Sequence, residues 1–185
     1  MSLRLLPNIL TLFRMFAVAP IVYWLIQGQY FAAFVLAVLA GISDLLDGYL
    51  ARRYGWMTHF GGVLDPLTDK LLLVSTVLTL GWLQQIPGWL VFLVVLRDLV
   101  IVLGGLYYHF LVERITDSRP TQLSKWNTLL QIVLVVAVML GLAFPSTSGP
   151  WVGWMIYLTA VTTVASGVQY VVIWSLKARR HAKNA

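Results

Sequence analysis

The chain contains no cysteine, and only 11% of its 185 residues carry a charge. The missing cysteine excludes disulfide bonds, thiolate metal sites and cysteine nucleophiles. Soluble domains are about 25% charged, so this composition, with 59% hydrophobic residues, excludes an ordinary soluble globule and equally excludes a disordered chain. Acidic residues are the scarcest charged class, with seven against 13 Lys and Arg, and their positions are therefore informative.

Six apolar stretches are each long enough to cross a lipid bilayer, which takes about 20 residues. Turn-forming residues interrupt the apolar sequence at 28–30, 84–88 and 145–150. Since lipid offers the backbone no hydrogen bonds, stretches of this length predict helices rather than strands. We therefore predict an all-α integral membrane protein, a single domain over residues 1–185 with six transmembrane helices. The predicted spans are Asn8–Gln27, Phe31–Arg52, Gly62–Leu83, Trp89–Leu111, Leu123–Phe144 and Trp151–Lys177.

The basic residues outside these spans lie on one side of the predicted topology. They occur at both termini and in the loops after the second and fourth spans, whereas the other three loops contain no Lys or Arg. This distribution predicts that both termini are cytoplasmic. The tail Lys177–Lys183 is expected to contact anionic lipid headgroups. Topology and lipid contact thus account for the net charge of +6, and no nucleic-acid partner is expected.

The first span also has features of a secretory signal peptide, with Ala17-Val18-Ala19 at the cleavage position. Arg14 interrupts its apolar run, however, and Pro20 follows the cleavage position. We therefore interpret this segment as a helix of the mature protein.

Four of the seven acidic residues lie close together in sequence, at the end of the second span and the start of the third. Asp44 and Asp47 are spaced to share one helical face, and Asp65 and Asp69 are spaced to share another. Because the connection at residues 53–60 is short, we expect the two helices to be antiparallel neighbours with their carboxylates facing each other. Such oxygen donors suit Mg²⁺, Mn²⁺ or Ca²⁺, and two such ions would form a clamp for phosphoryl transfer.

Small residues lie on the same two faces. Gly48, Ala51 and Gly61 would let the helices approach closely, which is the commoner use of small residues, or would leave room for a flat group such as a nucleobase. Arg52 lies beside them at the headgroup level and suits bidentate binding of a pyrophosphate. A polar seam without ligand is the simplest alternative, but it does not explain four carboxylates in register with glycines.

A cation transporter is a second alternative for the acidic cluster. Transporters often contain inverted repeats and broken helices, and neither is evident in this sequence. Arg52 beside the cluster would also repel cations. A structural membrane scaffold, a third possibility, would not require the carboxylates at all.

The acidic segment resembles the complete motif of the CDP-alcohol phosphotransferase family. The resemblance implies transfer of a phosphoalcohol from a CDP-linked alcohol to an acceptor hydroxyl, with release of CMP. It further implies two divalent cations, Mg²⁺ or Mn²⁺, and a homodimer. The matching residues are Asp44, Asp47, Gly48, Ala51, Arg52, Gly61, Asp65 and Asp69.

The same resemblance implies a role for each residue of the motif. Asp69 is the expected general base for the acceptor hydroxyl, and no side chain suited to a phospho-enzyme is evident, so a single displacement is expected. The cations would be held by Asp44, Asp47, Asp65 and Asp69. The CDP moiety would be bound by Gly48, Ala51, Arg52, Gly61, Asn8 and Thr11, the last two from the stretch 6–14, which also resembles the family.

The acceptor is predicted from similarities outside the motif. Residues 119–128 and 159–166 are similar to the branch of the family that transfers from CDP-diacylglycerol to phosphatidylglycerol, whereas Arg97-Asp98 occurs in that branch and in the glycerol-3-phosphate branch. We expect phosphatidylglycerol, with glycerol-3-phosphate as the alternative. The residues expected to contact the acceptor are Lys125, Asn127 and Arg97, although Lys125 equally suits a membrane anchor and Arg97-Asp98 a pair that orients helices. A bacterial inner membrane with a cytoplasmic active site is the expected location.

Overall fold

A computed structural model of the chain describes residues 6–54, 59–111, 121–147 and 149–184. Side chains are described for residues 10–46, 53–54, 68–104, 121–147 and 149–176. Within these ranges the chain is helical and contains no strand. The prediction of an all-α protein with six long helices is therefore confirmed.

The six helices follow the six predicted apolar segments closely. Only the last differs by more than a few residues, because α6 continues past Lys177 to Asn184. Residues 177–184 contain neither Gly nor Pro, and basic side chains near a helix C-terminus interact favourably with its dipole. A 3₁₀ turn, Pro145–Thr147, precedes this helix. The helices are α1 (Leu6–Ile26), α2 (Tyr30–Tyr54), α3 (His59–Trp82), α4 (Gly88–Leu111), α5 (Gln122–Ala143) and α6 (Trp151–Asn184).

Two helix ends show why the chain turns where it does. Gly28 has a φ of 73° directly after α1, a left-handed conformation that glycine adopts without steric cost. The amide of Gln29 then donates to the carbonyl of Trp24 at 2.8 Å, which gives one of the last carbonyl groups of the helix a hydrogen-bond donor. Gln84 takes the same conformation after α3, with a φ of 57°, although it is not a glycine.

The apolar character of the helices fits a membrane environment. In the described part of the chain, two helical segments are long and apolar enough to cross a bilayer, Gln122–Ala143 and Trp151–Leu176. Shorter apolar segments occur in α1 and α2, at Leu10–Ile26 and Tyr30–Leu46. Many large apolar side chains on all six helices point outward, as expected where lipid rather than water surrounds a protein.

The chain divides into two compact units. The first comprises Met1–Ile86 and Val135–Gly149, and in it α1 packs against both α2 and α3. The second comprises Pro87–Leu134 and Pro150–Ala185, and in it α4 packs against α6. The first unit contains the described acidic residues of the motif, and the second contains the residues expected to contact the acceptor.

Candidate active site

The centre of the first unit is an arginine of α1 that joins α2 to α3. Arg14 Nη1 donates to Asp44 Oδ1 of α2 at 2.6 Å and also to Asp69 Oδ1 of α3. Both carboxylates therefore lie within hydrogen-bonding reach of the same nitrogen atom. The structure thus brings together two of the four predicted metal ligands, Asp44 of α2 and Asp69 of α3.

The three side chains differ in their access to solvent. Arg14 is 1% exposed, whereas the side chains of Asp44 and Asp69 are 42% and 47% exposed. The carboxylates consequently form the outer part of the cluster, and the guanidinium forms its buried part. A solute that approaches from the open side would meet anionic oxygen before it met the positive charge.

The helices fix the backbone positions of the other two acids. Asp47 follows Asp44 on α2 by about one turn, and Asp65 precedes Asp69 on α3 by about one turn. Their side chains lie outside those that the structure describes. Among the described side chains, no group of three or more acidic or histidine residues is found.

The predicted CDP-binding residues lie on the same three helices. Thr11 of α1 is buried and precedes Arg14 by three residues, so the two share one helical face. The side chains of the other five lie outside the described set, and only their helix is known. These residues are Asn8 on α1, Gly48, Ala51 and Arg52 on α2, and Gly61 on α3.

The second unit contains a different polar cluster, centred on Arg97 of α4. The Arg97 guanidinium donates to Asp98 at 2.9 Å, to Ser166 of α6 at 3.0 Å and to Ser124 of α5. All four side chains are buried. The cluster therefore joins three helices through a positive charge that is neutralised by its own chain neighbour.

Further hydrogen bonds continue from this cluster along α5 and α6. Asn127 Oδ1 accepts from the hydroxyls of Thr162 and Thr163, each at 2.9 Å. Gln131 donates to Thr163 at 3.4 Å one turn further along. Polar side chains of this kind hold helices together in lipid, where no water competes for them. Residues 124–131 of α5 and 162–166 of α6 thus form a hydrogen-bond ladder.

The residues expected to contact the acceptor occupy unlike environments in this unit. Lys125 is exposed in the first turn of α5. Asn127 is fully buried, and its Nδ2 atom has no hydrogen-bond partner among the described residues. Arg97 is 5% exposed, with its guanidinium surrounded by side chains of the protein.

Two parts of this arrangement were not predicted from the sequence. Arg14 interrupts an apolar run and ends the stretch 6–14 that resembles the family, but its pairing was not predicted, although a charged residue within a membrane segment is itself a signal of function or pairing. The regular spacing of hydroxyl side chains in the 159–166 stretch likewise indicated a polar helix face, which the structure shows as the α6 side of the ladder.

The chain is similar to a known protein family over most of its length. A family model for CDP-alcohol phosphatidyltransferase matches residues 4–165. A probable cardiolipin synthase (CMP-forming) of Drosophila melanogaster is 34% identical over 92% of this chain and 58% of its own length. The chain belongs to the CDP-alcohol phosphatidyltransferase family, which confirms the prediction from the motif.

Two other relatives carry the name of the alternative acceptor. A chloroplastic CDP-diacylglycerol–glycerol-3-phosphate 3-phosphatidyltransferase of Oryza sativa subsp. japonica is 34% identical over 89% of this chain and 55% of its own length. An enzyme named for the same reaction in Aquifex aeolicus is 29% identical over 71% of this chain and 74% of its own length. The chain thus spans little more than half of the Drosophila and rice proteins.

Proposed function

We propose that the protein transfers a phosphatidyl group from CDP-diacylglycerol to the hydroxyl of a glycerol-type acceptor and releases CMP. The observation that carries this proposal is the convergence of Asp44 and Asp69, from two different helices, on one nitrogen of Arg14. Both acids belong to the segment that matches the family. Arg14 supplies one positive charge against two carboxylates, so these three side chains together retain a negative charge that favours a cationic ligand.

The donor set fits divalent cations. Two carboxylates that meet at one point and remain open to solvent offer the hard oxygen ligands that Mg²⁺ and Mn²⁺ prefer. In the proposal Asp44, Asp47, Asp65 and Asp69 hold two such cations. When bound, these cations would offset the charge of the diphosphate and acidify the acceptor hydroxyl.

The reaction requires one bond to form and one to break. In the proposal Asp69 accepts the proton of the acceptor hydroxyl, whose oxygen attacks the β-phosphorus of CDP-diacylglycerol, the one that bears the diacylglycerol. The bond between that phosphorus and the bridging diphosphate oxygen breaks, and CMP leaves with the electron pair. Arg52 binds the diphosphate, which places the reacting phosphorus beside Asp69.

The remaining CDP contacts come from small and polar residues of the first unit. In the proposal the absence of large side chains at Gly48, Ala51 and Gly61 admits the cytidine. Asn8 and Thr11 reach the same pocket from α1. Burial of Thr11 on the Arg14 face of α1 supports its place near the acids.

We propose phosphatidylglycerol as the acceptor, so that the product is cardiolipin. The Drosophila relative, named a probable cardiolipin synthase, supports this choice. Lys125 and Asn127 are proposed to contact the acceptor, since Lys125 is exposed and Asn127 Nδ2 is a buried donor with no hydrogen-bond partner among the described residues. Arg97 has its guanidinium N–H groups directed at Asp98, Ser124 and Ser166, and we infer that it orders the helices around the acceptor instead of binding it.

Glycerol-3-phosphate is the alternative acceptor, and the rice and Aquifex relatives favour it. The two reactions share the donor and the released nucleotide, so the lipid product distinguishes them. A cation transporter would bind its cation with the same carboxylates but would form neither CMP nor a new lipid.

We further propose that all six helices span the membrane, with both termini and the acids at the cytoplasmic face of a bacterial inner membrane. The positions of the basic residues and the apolar outer surface support this topology. The helical segment Lys177–Lys183 is proposed to contact anionic lipids, and the enzyme is proposed to act as a homodimer. Accessibility of single engineered cysteines at the two termini in sealed vesicles would test the orientation.

The decisive experiment offers the purified protein CDP-diacylglycerol with each acceptor in turn. We expect CMP release only with Mg²⁺ or Mn²⁺, loss of release with a chelator, and cardiolipin as the product with phosphatidylglycerol. Phosphatidylglycerophosphate as the only product would establish the alternative acceptor. Transport of Mg²⁺ into liposomes without consumption of CDP-diacylglycerol would contradict the enzymatic proposal.

A further inference from the structure

Arg14 has no part in the reaction proposed above, yet it contacts two residues at its centre. Its side chain is 1% exposed within an apolar helix, where an ionised arginine is unfavourable unless it is paired. The acids that offset this charge come from two other helices. Both acids are nearly half exposed, so a solute can reach them while they remain paired with Arg14.

The geometry places Arg14 in competition with a bound cation. Its Nη1 atom bonds Oδ1 of Asp44 and Oδ1 of Asp69, which are the atoms that a shared cation would also approach. When two positive groups bind the same pair of carboxylates, each weakens the binding of the other to those carboxylates. By thermodynamic linkage this effect is reciprocal.

We propose that Arg14 is the built-in counter-ion of the acidic site, holding Asp44 and Asp69 together when no divalent cation is bound and competing with such a cation for them. This inference rests on the proposed function, in which Asp44 and Asp69 hold the cations. Arg14 is then a positioning residue that keeps the metal-free site folded and lowers its affinity for divalent cations.

The competition has a consequence that a merely structural arginine would not have. Removal of the positive charge should strengthen the binding of divalent cations, even though it weakens the metal-free protein. A residue that only supports the fold would have the opposite effect, because a disordered site binds cations less tightly.

The test compares Arg14→Gln with Arg14→Lys, which retains the charge. Binding of Mn²⁺ to the purified protein is measured by electron paramagnetic resonance without any substrate. We expect Arg14→Gln to bind Mn²⁺ about tenfold more tightly than the wild type, since the lost repulsion acts at short range across a partly solvated site. Arg14→Lys should bind Mn²⁺ close to the wild-type value.

Thermal unfolding supplies an independent readout. In chelator, Arg14→Gln should unfold at a lower temperature than the wild type, and Mn²⁺ should raise its unfolding temperature by more than it raises that of the wild type. Arg97→Gln is the matched control, because Arg97 is also buried and bonded to an aspartate, Asp98. It should lower the unfolding temperature while leaving the increment due to Mn²⁺ unchanged.

The wild-type protein tests the inference even if Arg14→Gln does not fold. Arginine side chains labelled with ¹⁵N are observed by nuclear magnetic resonance during titration with Mg²⁺, and Arg14 is assigned from the spectrum of Arg14→Lys. The Arg14 guanidinium signal should shift on saturation, whereas that of Arg97 should not. An unmoved Arg14 signal would overturn the inference.

The outcomes separate this inference from the proposed function. Equal or weaker Mn²⁺ binding by Arg14→Gln, in a protein whose wild type releases CMP in the presence of Mn²⁺, contradicts the inference alone. Failure of the wild type to bind Mn²⁺ at all contradicts both the metal-dependent reaction and the role of Arg14.

Discussion

Each compact unit contains an almost fully buried arginine, and the two arginines are paired in different ways. Arg14 bonds acids from two other helices, and those acids are nearly half exposed. Arg97 bonds the aspartate next to it in the chain and two serine hydroxyls, all of them buried. We call the Arg14 cluster the open site, because its acids are accessible to solvent and are suited to exchange one partner for another. We call the Arg97 cluster the closed site, because all of its side chains are buried and are suited to hold helices together.

The largest effect that follows from this comparison concerns the open site. Asp69→Asn should reduce CMP release about a thousandfold, because general-base catalysis contributes about 10²–10⁴ in rate and the amide also supplies a poorer metal ligand. CDP-diacylglycerol binding should be largely retained. Turnover and binding are measured separately, by CMP release and by equilibrium binding of the nucleotide lipid.

Asp98→Asn is the control, since it makes the same change at the acid of the other arginine. We expect a much smaller loss of turnover per folded molecule. Similar losses for the two variants would remove the distinction between an open and a closed site, and retained turnover in Asp69→Asn would remove Asp69 as the base.

The next effect concerns the closed site and is one of stability. Arg97→Met removes the arginine that neutralises the buried Asp98, and breaking a buried ion pair in this way destabilises a protein by about 3 kcal/mol. The double variant Arg97→Met, Asp98→Leu removes both charges and should recover most of the lost stability. Unfolding in a denaturing detergent measures both; equal stability of the single and double variants would show that the pair is not coupled.

A smaller effect is expected at the diphosphate. Arg52→Ala should weaken CDP-diacylglycerol binding about tenfold, the value of one charge-assisted contact, and should affect the acceptor less. The KM values of the two substrates, measured separately, provide the comparison. A larger rise in the KM of the acceptor than in that of CDP-diacylglycerol would contradict the role of Arg52 in binding the diphosphate.

The smallest effect tests packing beside the closed site. A Cβ atom at Gly104 of α4 would lie 3.0 Å from the Trp174 side chain of α6, closer than side chains normally approach. Gly104→Ala should therefore destabilise the second unit by about 1 kcal/mol. At Gly167, where the nearest atom would be Arg97 Cγ at 3.6 Å, the same substitution should be tolerated. A loss of stability at Gly167 that equals the loss at Gly104 would contradict this explanation.

The helices and the family were predictable because both depend on local sequence. Long apolar runs predict helices wherever lipid surrounds the backbone, and the acid spacing follows from the helical repeat. The predicted last span ends at Lys177, next to the end of the apolar segment at Leu176, while α6 itself continues to Asn184, because hydropathy marks where a membrane segment ends and not where a helix does. The prediction that α2 and α3 face each other omitted α1, which contacts both of them.

The pairings of the buried charges were not predictable in the same way. Arg97 and Asp98 are adjacent in the chain, and the sequence allowed a mutually compensating pair there. The same reasoning could not assign Ser124 and Ser166 to that pair, since they are 27 and 69 residues from Arg97. Arg14 is separated from its partners by 30 and 55 residues, and no periodicity relates them.

The sequence by itself determined six helices, an acidic motif at fixed helical spacing and the family to which the motif belongs. Those properties depend on the helical repeat and on hydropathy, which act over neighbouring residues. Only the tertiary structure decided that Arg14 would be the shared partner of Asp44 and Asp69 and that α5 and α6 would be joined by a polar ladder. These contacts depend on which helices pack together, because packing brings together side chains that are remote in the chain.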